Sequence, residues 1–138
     1  MATILIVDDY APNHRLMSFV LEQSGHAVVT AYDGQQALDR LCTTSVDLIV
    51  TDLTMPKMDG LALAREIRGD ARFSGLPIIV VTASGKEQDQ VRAAGVGVDT
   101  FLTKPVDSEE LVREVGRLVN RNFDSGRLPP LLLQRNAA

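Results

Sequence analysis

Residues 4–9 read ILIVDD and residues 47–52 read DLIVTD, so two short apolar runs end in acids: Asp8 and Asp9 after the first, Asp52 after the second. A third run, FLTKP, carries a lone lysine at the same place, Lys104. Runs of this kind, rich in β-branched residues, read as strands of a parallel sheet buried on both faces. In an open parallel sheet the carboxyl ends of the strands line the crevice where ligands bind. Three carboxylates brought together there repel one another, and burying them unpaired is costly. A hard divalent cation removes the conflict. Mg²⁺ fits, because it takes few protein carboxylates and keeps water or phosphate oxygens. The constellation points to a site that handles phosphoryl groups.

Strand and helix signals alternate five times. The strand signals are TILIV (3–7), AVVTA (27–31), DLIVT (47–51), PIIVVT (77–82) and TFLT (100–103). A first helix is expected from Pro12, a favoured first-turn residue, to just before Gly25, with Leu16, Phe19 and Val20 on its apolar stripe. A second follows Asp33 as N-cap and carries Ala37, Leu38 and Leu41. A third follows Asp59 and carries Leu63, Ala64 and Ile67. A fifth follows Asp107 or Ser108, with Glu109 and Glu110 suited to its positive N-terminal end, and carries Leu111, Val112, Val115, Leu118 and Val119. The fourth, between Lys86 and Val96, has only Val91 and Val96 as strong apolar residues and ends in Gly95 and Gly97. It is either an ordinary frayed helix or an element held loosely enough to shift when the site changes state. Short connections between alternating elements specify an α/β, doubly wound sheet with helices on both faces.

The 138 residues suit one domain. The net charge is −4 with no long basic run, so composition offers no case for direct nucleic-acid contact. One cysteine, Cys42, excludes an internal disulfide. The N-terminus has no positive region before its apolar stretch and runs straight into acids, unlike a signal peptide. No apolar segment approaches the ~20 residues of a membrane span. A cytoplasmic protein is the simplest expectation. The folded unit is expected over 1–121. Residues 122–138, with Pro129, Pro130 and Leu131 to Leu133, are expected to be a flexible tail or a truncated linker, or alternatively a docking segment. His14 and His26 are isolated, lack metal spacing, and are expected at the surface or in turns.

The acid pair Asp8 and Asp9, the stretch DLTMPKMDG from Asp52 to Gly60, Thr82-Ala83, and FLTKP from Phe101 to Pro105 occur together, in order, across residues 3–120. On these motifs the chain resembles the receiver domains of two-component response regulators, the CheY-like family. The resemblance implies a flavodoxin-like five-stranded parallel sheet of order 2-1-3-4-5 with five helices. It implies that Asp52 accepts a phosphoryl group from a phosphohistidine of a sensor histidine kinase or histidine phosphotransfer protein, as part of a phosphorelay. Asp8, Asp9 and Asp52 would hold Mg²⁺, with the backbone carbonyl of Thr54 as a further ligand. Lys104 and the Thr82 hydroxyl would contact the phosphoryl group. Thr82 and Phe101 would form the switch, and the bond before Pro105 would be cis. Side chains two after the acceptor and two after the threonine flank the path of hydrolytic water. Here they are Thr54 and Ser84, too short to orient it, so a long-lived phosphorylated state is expected.

The chemistry agrees with that resemblance. A carboxylate is a competent nucleophile and yields an acyl phosphate. Attack by an anion on an anion needs neutralisation and alignment above all, which a cation and a compact ammonium supply. Met55, Pro56 and Met58 are expected to shape and pack the loop after Asp52. The surface over 86–120 is expected to be the output face for a downstream protein effector, and Asn13, His14 and Arg15 the donor-docking face. The chain is expected as a monomer or a phosphorylation-dependent dimer, acting as a regulator and not as a classical enzyme. Rival readings are weaker. A flavin-binding flavodoxin would place phosphate against Asp8 and Asp9. An aspartate-nucleophile phosphatase usually carries an acid where Thr54 stands. A phosphate-independent module has no need of the full acid, threonine and lysine set.

Overall fold

The computed structural model describes residues 2–55, 58–83 and 85–121. Five strands alternate with five helices: β1 (Thr3–Val7), α1 (Ala11–Gln23), β2 (Ala27–Ala31), α2 (Gly34–Thr43), β3 (Leu48–Asp52), α3 (Gly60–Gly69), β4 (Ile78–Thr82), α4 (Glu87–Val96), β5 (Thr100–Thr103) and α5 (Ser108–Arg121). The strands form one parallel sheet, as the alternation implies, of order β2-β1-β3-β4-β5, as the resemblance implies. The tail 122–138, Ser84 and Pro56 lie outside the described residues.

Side chains alternate across the pleat, so each central strand feeds two cores. Leu5, Val7, Ile49, Ile78 and Val80 pack on one face with Ala37 and Leu41 of α2 and Leu63, Ala64 and Ile67 of α3. Ile4, Ile6, Leu48, Val50, Ile79 and Val81 pack on the other with Met17 and Leu21 of α1 and Leu111, Val115 and Leu118 of α5. Continuous apolar runs are therefore the right signal for the central strands, because neither face sees water. The strands expected at 47–51 and 77–82 each begin one residue later. The Asp47 carboxylate accepts from the Thr3 N–H at 2.8 Å. Pro77 has no N–H to give, and its carbonyl accepts from the Ile49 N–H at 3.0 Å.

The helix ends follow local chemistry. Asp33 and Asp59 cap α2 and α3, each accepting at 2.8 Å from the residue three along. Asp107 caps α5, accepting from the Glu109 N–H at 2.9 Å. The first helix departs from expectation. It starts at Ala11, with Pro12 still in its first turn, and it buries His14, Met17 and Leu21. Leu16 and Phe19, expected on the buried stripe, are 57% and 62% exposed. The real stripe lies about one residue round the helix, because Met17 and Leu21 fill the space over β1 and β3 and His14 closes on the β1–α1 turn.

Only Ala93 of α4 is buried, and Val91 faces solvent. The helix ends at Gly97, whose φ of +96° is left-handed and favours glycine. Arg68, near the end of α3, holds that end. Its Nε and one terminal nitrogen donate to the Gly97 carbonyl at 3.0 and 2.9 Å. The other terminal nitrogen donates to the carbonyls of Ser74 and Leu76 at 3.0 and 2.7 Å. Asp99 completes the fork at 3.1 Å and also accepts from the Ile78 N–H at 2.9 Å. Removing Arg68 takes a donor from the part-buried Leu76 carbonyl and Asp99 carboxylate and from two exposed carbonyls at once. Arg68→Ala is expected to cost about 2–3 kcal/mol in urea unfolding, with Arg68→Lys recovering less than half because an ammonium cannot fork.

Candidate functional site

The pleat decides which side chains meet. Asp8, Asp52 and Lys104 continue the alternation of Ile6, Val50 and Leu102, all of which face the α1–α5 side. Thr82 and Phe101 continue the other set, and Phe101 packs against the α2–α3 side. The first three therefore converge at the carboxyl ends of neighbouring strands. The Lys104 ammonium lies 3.4 Å from Asp52 Oδ2 and 3.5 Å from Asp8 Oδ2. Asp8 and Asp52 are buried and Asp9 is exposed, yet an oxygen of each lies within 4.8 Å of the others.

The neighbouring backbone fixes these groups. Asp8 Oδ1 accepts from the Tyr10 N–H at 2.9 Å, and Oδ2 from the Asn13 amide at 3.1 Å. The Asp8 carbonyl meets His14 Nε2. Asp52 Oδ1 accepts from the Thr54 N–H at 3.4 Å. After Asp52 the chain loops out and returns so closely that the Gly60 N–H donates to the Leu53 carbonyl at 2.8 Å. A Cβ at Gly60 would collide with the Asp52 carbonyl, so glycine is required there. Met55 is buried and Met58 packs against the core beside Gly34, where a Cβ would come 2.7 Å from the Met58 sulfur. Both methionines pack the loop as expected.

On the other side of the pleat, Thr82 is buried at 2% exposure, and its carbonyl accepts from the Lys104 N–H at 2.7 Å. Val80 stands opposite Phe101 and Thr82 opposite Thr103, so the threonine and the half-buried phenylalanine share one face of β4–β5. The Lys104–Pro105 bond is cis. Thr54 is exposed beside the acids. Ser84 lies outside the described residues, so its expected part in tuning has no structural counterpart here.

Burial raises the Asp52 pKa above its ordinary value; the Lys104 charge opposes the rise and the Asp8 charge adds to it. A single ammonium thus leaves an excess of negative charge among three carboxylates. Their hard oxygen donors and small separation fit Mg²⁺. Among the described residues no other trio of acids, cysteines or histidines lies close enough to hold a metal.

His14, expected at the surface or in a turn, is instead 4% exposed and bonded to Asp8. Asn13 lies near the site as expected, its amide donating to the same acid. A helix that begins at Ala11 carries its first turn back over the acid pair. His26 does sit at a turn, its Nδ1 accepting from the Ala2 N–H at 3.2 Å.

Comparison with known proteins agrees with this geometry. The family described as response regulator receiver domain matches residues 4–116. The DNA-binding dual master transcriptional regulator RpaA of Synechocystis is 37% identical over 121 residues, covering 88% of this chain and 50% of that protein. The receiver domain of a signal transduction histidine kinase from Syntrophus aciditrophicus superposes with a TM-score of 0.84 at 32% identity, covering 94% of this chain and 98% of that one. Chemotaxis protein CheY4 of Vibrio cholerae does so with a TM-score of 0.81 at 30% identity, covering 86% and 98%. The chain spans about half the length of the curated relatives it matches. Because such relatives include DNA-binding regulators, the expectation of no nucleic-acid contact finds no support among them. No described helix is long and apolar enough to cross a membrane.

The raised pKa of Asp52 has a sign that can be checked without metal. A folded-state pKa above the unfolded one means that the folded chain binds the proton more tightly, so ionised Asp52 opposes folding. In EDTA at about pH 7, Asp52→Asn should raise the thermal midpoint. The gain should shrink as pH falls through the raised pKa, and vanish below the ordinary carboxylate range, where the native carboxyl is neutral in both states. A lower midpoint in the variant at neutral pH would contradict this charge balance.

Proposed function

The chain belongs to the family of response regulator receiver domains, the phosphoacceptor signalling modules of two-component systems, and on that premise we propose that Asp52 is the acceptor and that its state is read from the surface over 86–120. The observation that carries this is the Lys104 ammonium shared between Asp52 and Asp8, with Asp9 in reach of the same point. An Asp52 oxygen attacks the phosphorus of a phosphohistidine on a sensor kinase or phosphotransfer protein. The new bond is the P–O bond of an acyl phosphate, the P–N bond breaks, and the imidazole leaves with a proton. Lys104 stands where it can hold a phosphoryl oxygen, and the Thr82 hydroxyl can donate to another. Asp9, Asp52 and the Thr54 carbonyl would hold Mg²⁺, with Asp8 acting directly or through water. When bound, that ion neutralises the incoming phosphoryl charge.

Readout follows from the face that Thr82 and Phe101 share. Phosphorylation draws the threonine toward the new group, and the phenylalanine ring moves into the space. Lacking a hydroxyl, Phe101 fills it by shape alone. The elements beside it are α4, thinly packed over its length and fixed at Gly97, β5 and α5. Together they offer the output face to a downstream protein, in a monomer or a phosphorylation-dependent dimer. Relatives with DNA-binding names make an output segment on the same polypeptide an equal alternative. Donor docking falls to the exposed side of α1, at Arg15, Leu16 and Phe19, because Asn13 and His14 are engaged with Asp8. Residues 1–121 form the receiver unit and 122–138 a linker or tail, in a cytoplasmic regulator. Thr54 and Ser84, both short, leave the hydrolytic water unaligned, so the acyl phosphate persists.

Intact mass should rise by one phosphoryl group after acetyl phosphate with Mg²⁺, fail to rise in EDTA, and fail to rise in Asp52→Asn. Full labelling of Asp52→Asn would falsify the assignment. Beryllofluoride should move amide chemical shifts through 82–104, and Thr82→Ala should reduce those movements. Changes confined to the loop after Asp52 would count against a propagated switch.

A further inference from the structure

The phosphoryl chemistry above makes no use of His14, although that residue is nearly fully buried and touches the site. Its Nε2 meets the main-chain carbonyl of Asp8. A carbonyl only accepts, so Nε2 is the donor in this contact. That Nδ1 is buried and has no hydrogen-bond partner among the described residues. The ring lies against Tyr32, with centroids 4.5 Å apart and planes tilted by 41°. Tyr32 is itself tied down, its N–H donating to Gln36 Oε1 at 2.9 Å. Leucine or methionine would fill the same gap between α1 and the β2–α2 turn without burying an unpaired nitrogen. What the imidazole adds is one directed donor.

The place it reaches matters. The Asp8 carbonyl lies in the planar peptide unit that joins Asp8 to Asp9, so fixing its direction fixes the Asp9 N–H and Cα as well. Asp8 already has its carboxylate held by the Tyr10 N–H, Asn13 and Lys104. Asp9 is exposed and takes its aim from the backbone between Asp8 and Tyr10. We propose that His14 is a positioning residue for the cation site: by donating to the Asp8 carbonyl it sets the peptide plane that points the Asp9 carboxylate at Asp52. This rests on reading Asp8, Asp9 and Asp52 as a Mg²⁺ site.

The test is a Mg²⁺ titration followed by amide chemical shifts, on the wild-type chain, His14→Phe and His14→Gln, with thermal midpoints measured in EDTA. Phenylalanine keeps a ring against Tyr32 and deletes the donor. Glutamine returns an amide N–H near the Nε2 position. Removing a group that orients a metal ligand costs about 10- to 100-fold in metal affinity, so His14→Phe should bind Mg²⁺ at least about 10-fold more weakly. His14→Gln should recover most of that loss, and the midpoint of His14→Phe in EDTA should not fall in step. Wild-type affinity in His14→Phe, or equal losses in both variants, overturns the proposal. A wild-type chain that takes up no Mg²⁺ overturns the site reading instead. Should His14→Phe not fold, ¹⁵N spectra of the wild-type imidazole decide: an Nε2–H tautomer, its proton shifting on Mg²⁺ addition, supports the role, and an Nδ1–H tautomer overturns it.

Discussion

Three carboxylates at the carboxyl end of one sheet, balanced by a single ammonium, set the terms for the rest of the molecule. Two of the acids are buried, and burial of one charge beside another of like sign is among the more costly arrangements a fold can hold. Lys104 relieves part of the repulsion by standing about equally far from Asp8 and Asp52. Burial outweighs that relief and, with a smaller push from Asp8, leaves the pKa of Asp52 raised. A site in that condition gains from a cation, and with the cation in place gains from an anion that completes its oxygen shell. The stored imbalance and the capacity to accept a phosphoryl group are one property seen from two sides.

Such a site must be rigid where it holds charge and yielding where it reports. The rigid part is dense with hydrogen bonds. The Tyr10 N–H, Asn13 and His14 all converge on Asp8, and Gly60 lets the chain close tightly beneath Asp52. The thinly packed part is α4, which buries one alanine and whose Gly97 carbonyl is gripped by Arg68. A helix thinly packed along its length can shift for a small free-energy difference. Its Gly97 end lies away from the acids, and its first turn follows β4 and Thr82.

The first helix serves two purposes with opposite demands. One face carries His14, Met17 and Leu21 into the core and onto Asp8. The other leaves Leu16 and Phe19 exposed, with Leu16 on the wall of a groove of about 430 Å³ that runs past Asn13, Met17, Lys104, Pro105 and Val106. The same short element therefore steadies the acids and presents apolar surface beside them.

How much of this was legible in the sequence depends on what each feature needs. The strands and both cores could be read from apolar runs, because a strand buried on both faces has no alternative composition, while the strand order came only from the family resemblance. Asp33, Asp59 and Asp107 announced their helices, since a cap acts on its own next few residues. The acids, Thr82 and Lys104 could be placed at strand ends and hence near one another. What composition could not set was the rotation of α1. Leu16, Phe19 and Val20 are the more hydrophobic choice, yet Met17, Leu21 and His14 are buried, because packing over the sheet and the bond to Asp8 fix the helix by a margin that hydrophobicity counts do not see. The five-way grip of Arg68 on residues between 74 and 99 was equally invisible. Sequence alone determined which groups the site contains, since that depends on local pattern. Tertiary structure alone decided how they are aimed, since aim depends on hydrogen bonds between segments far apart in the chain.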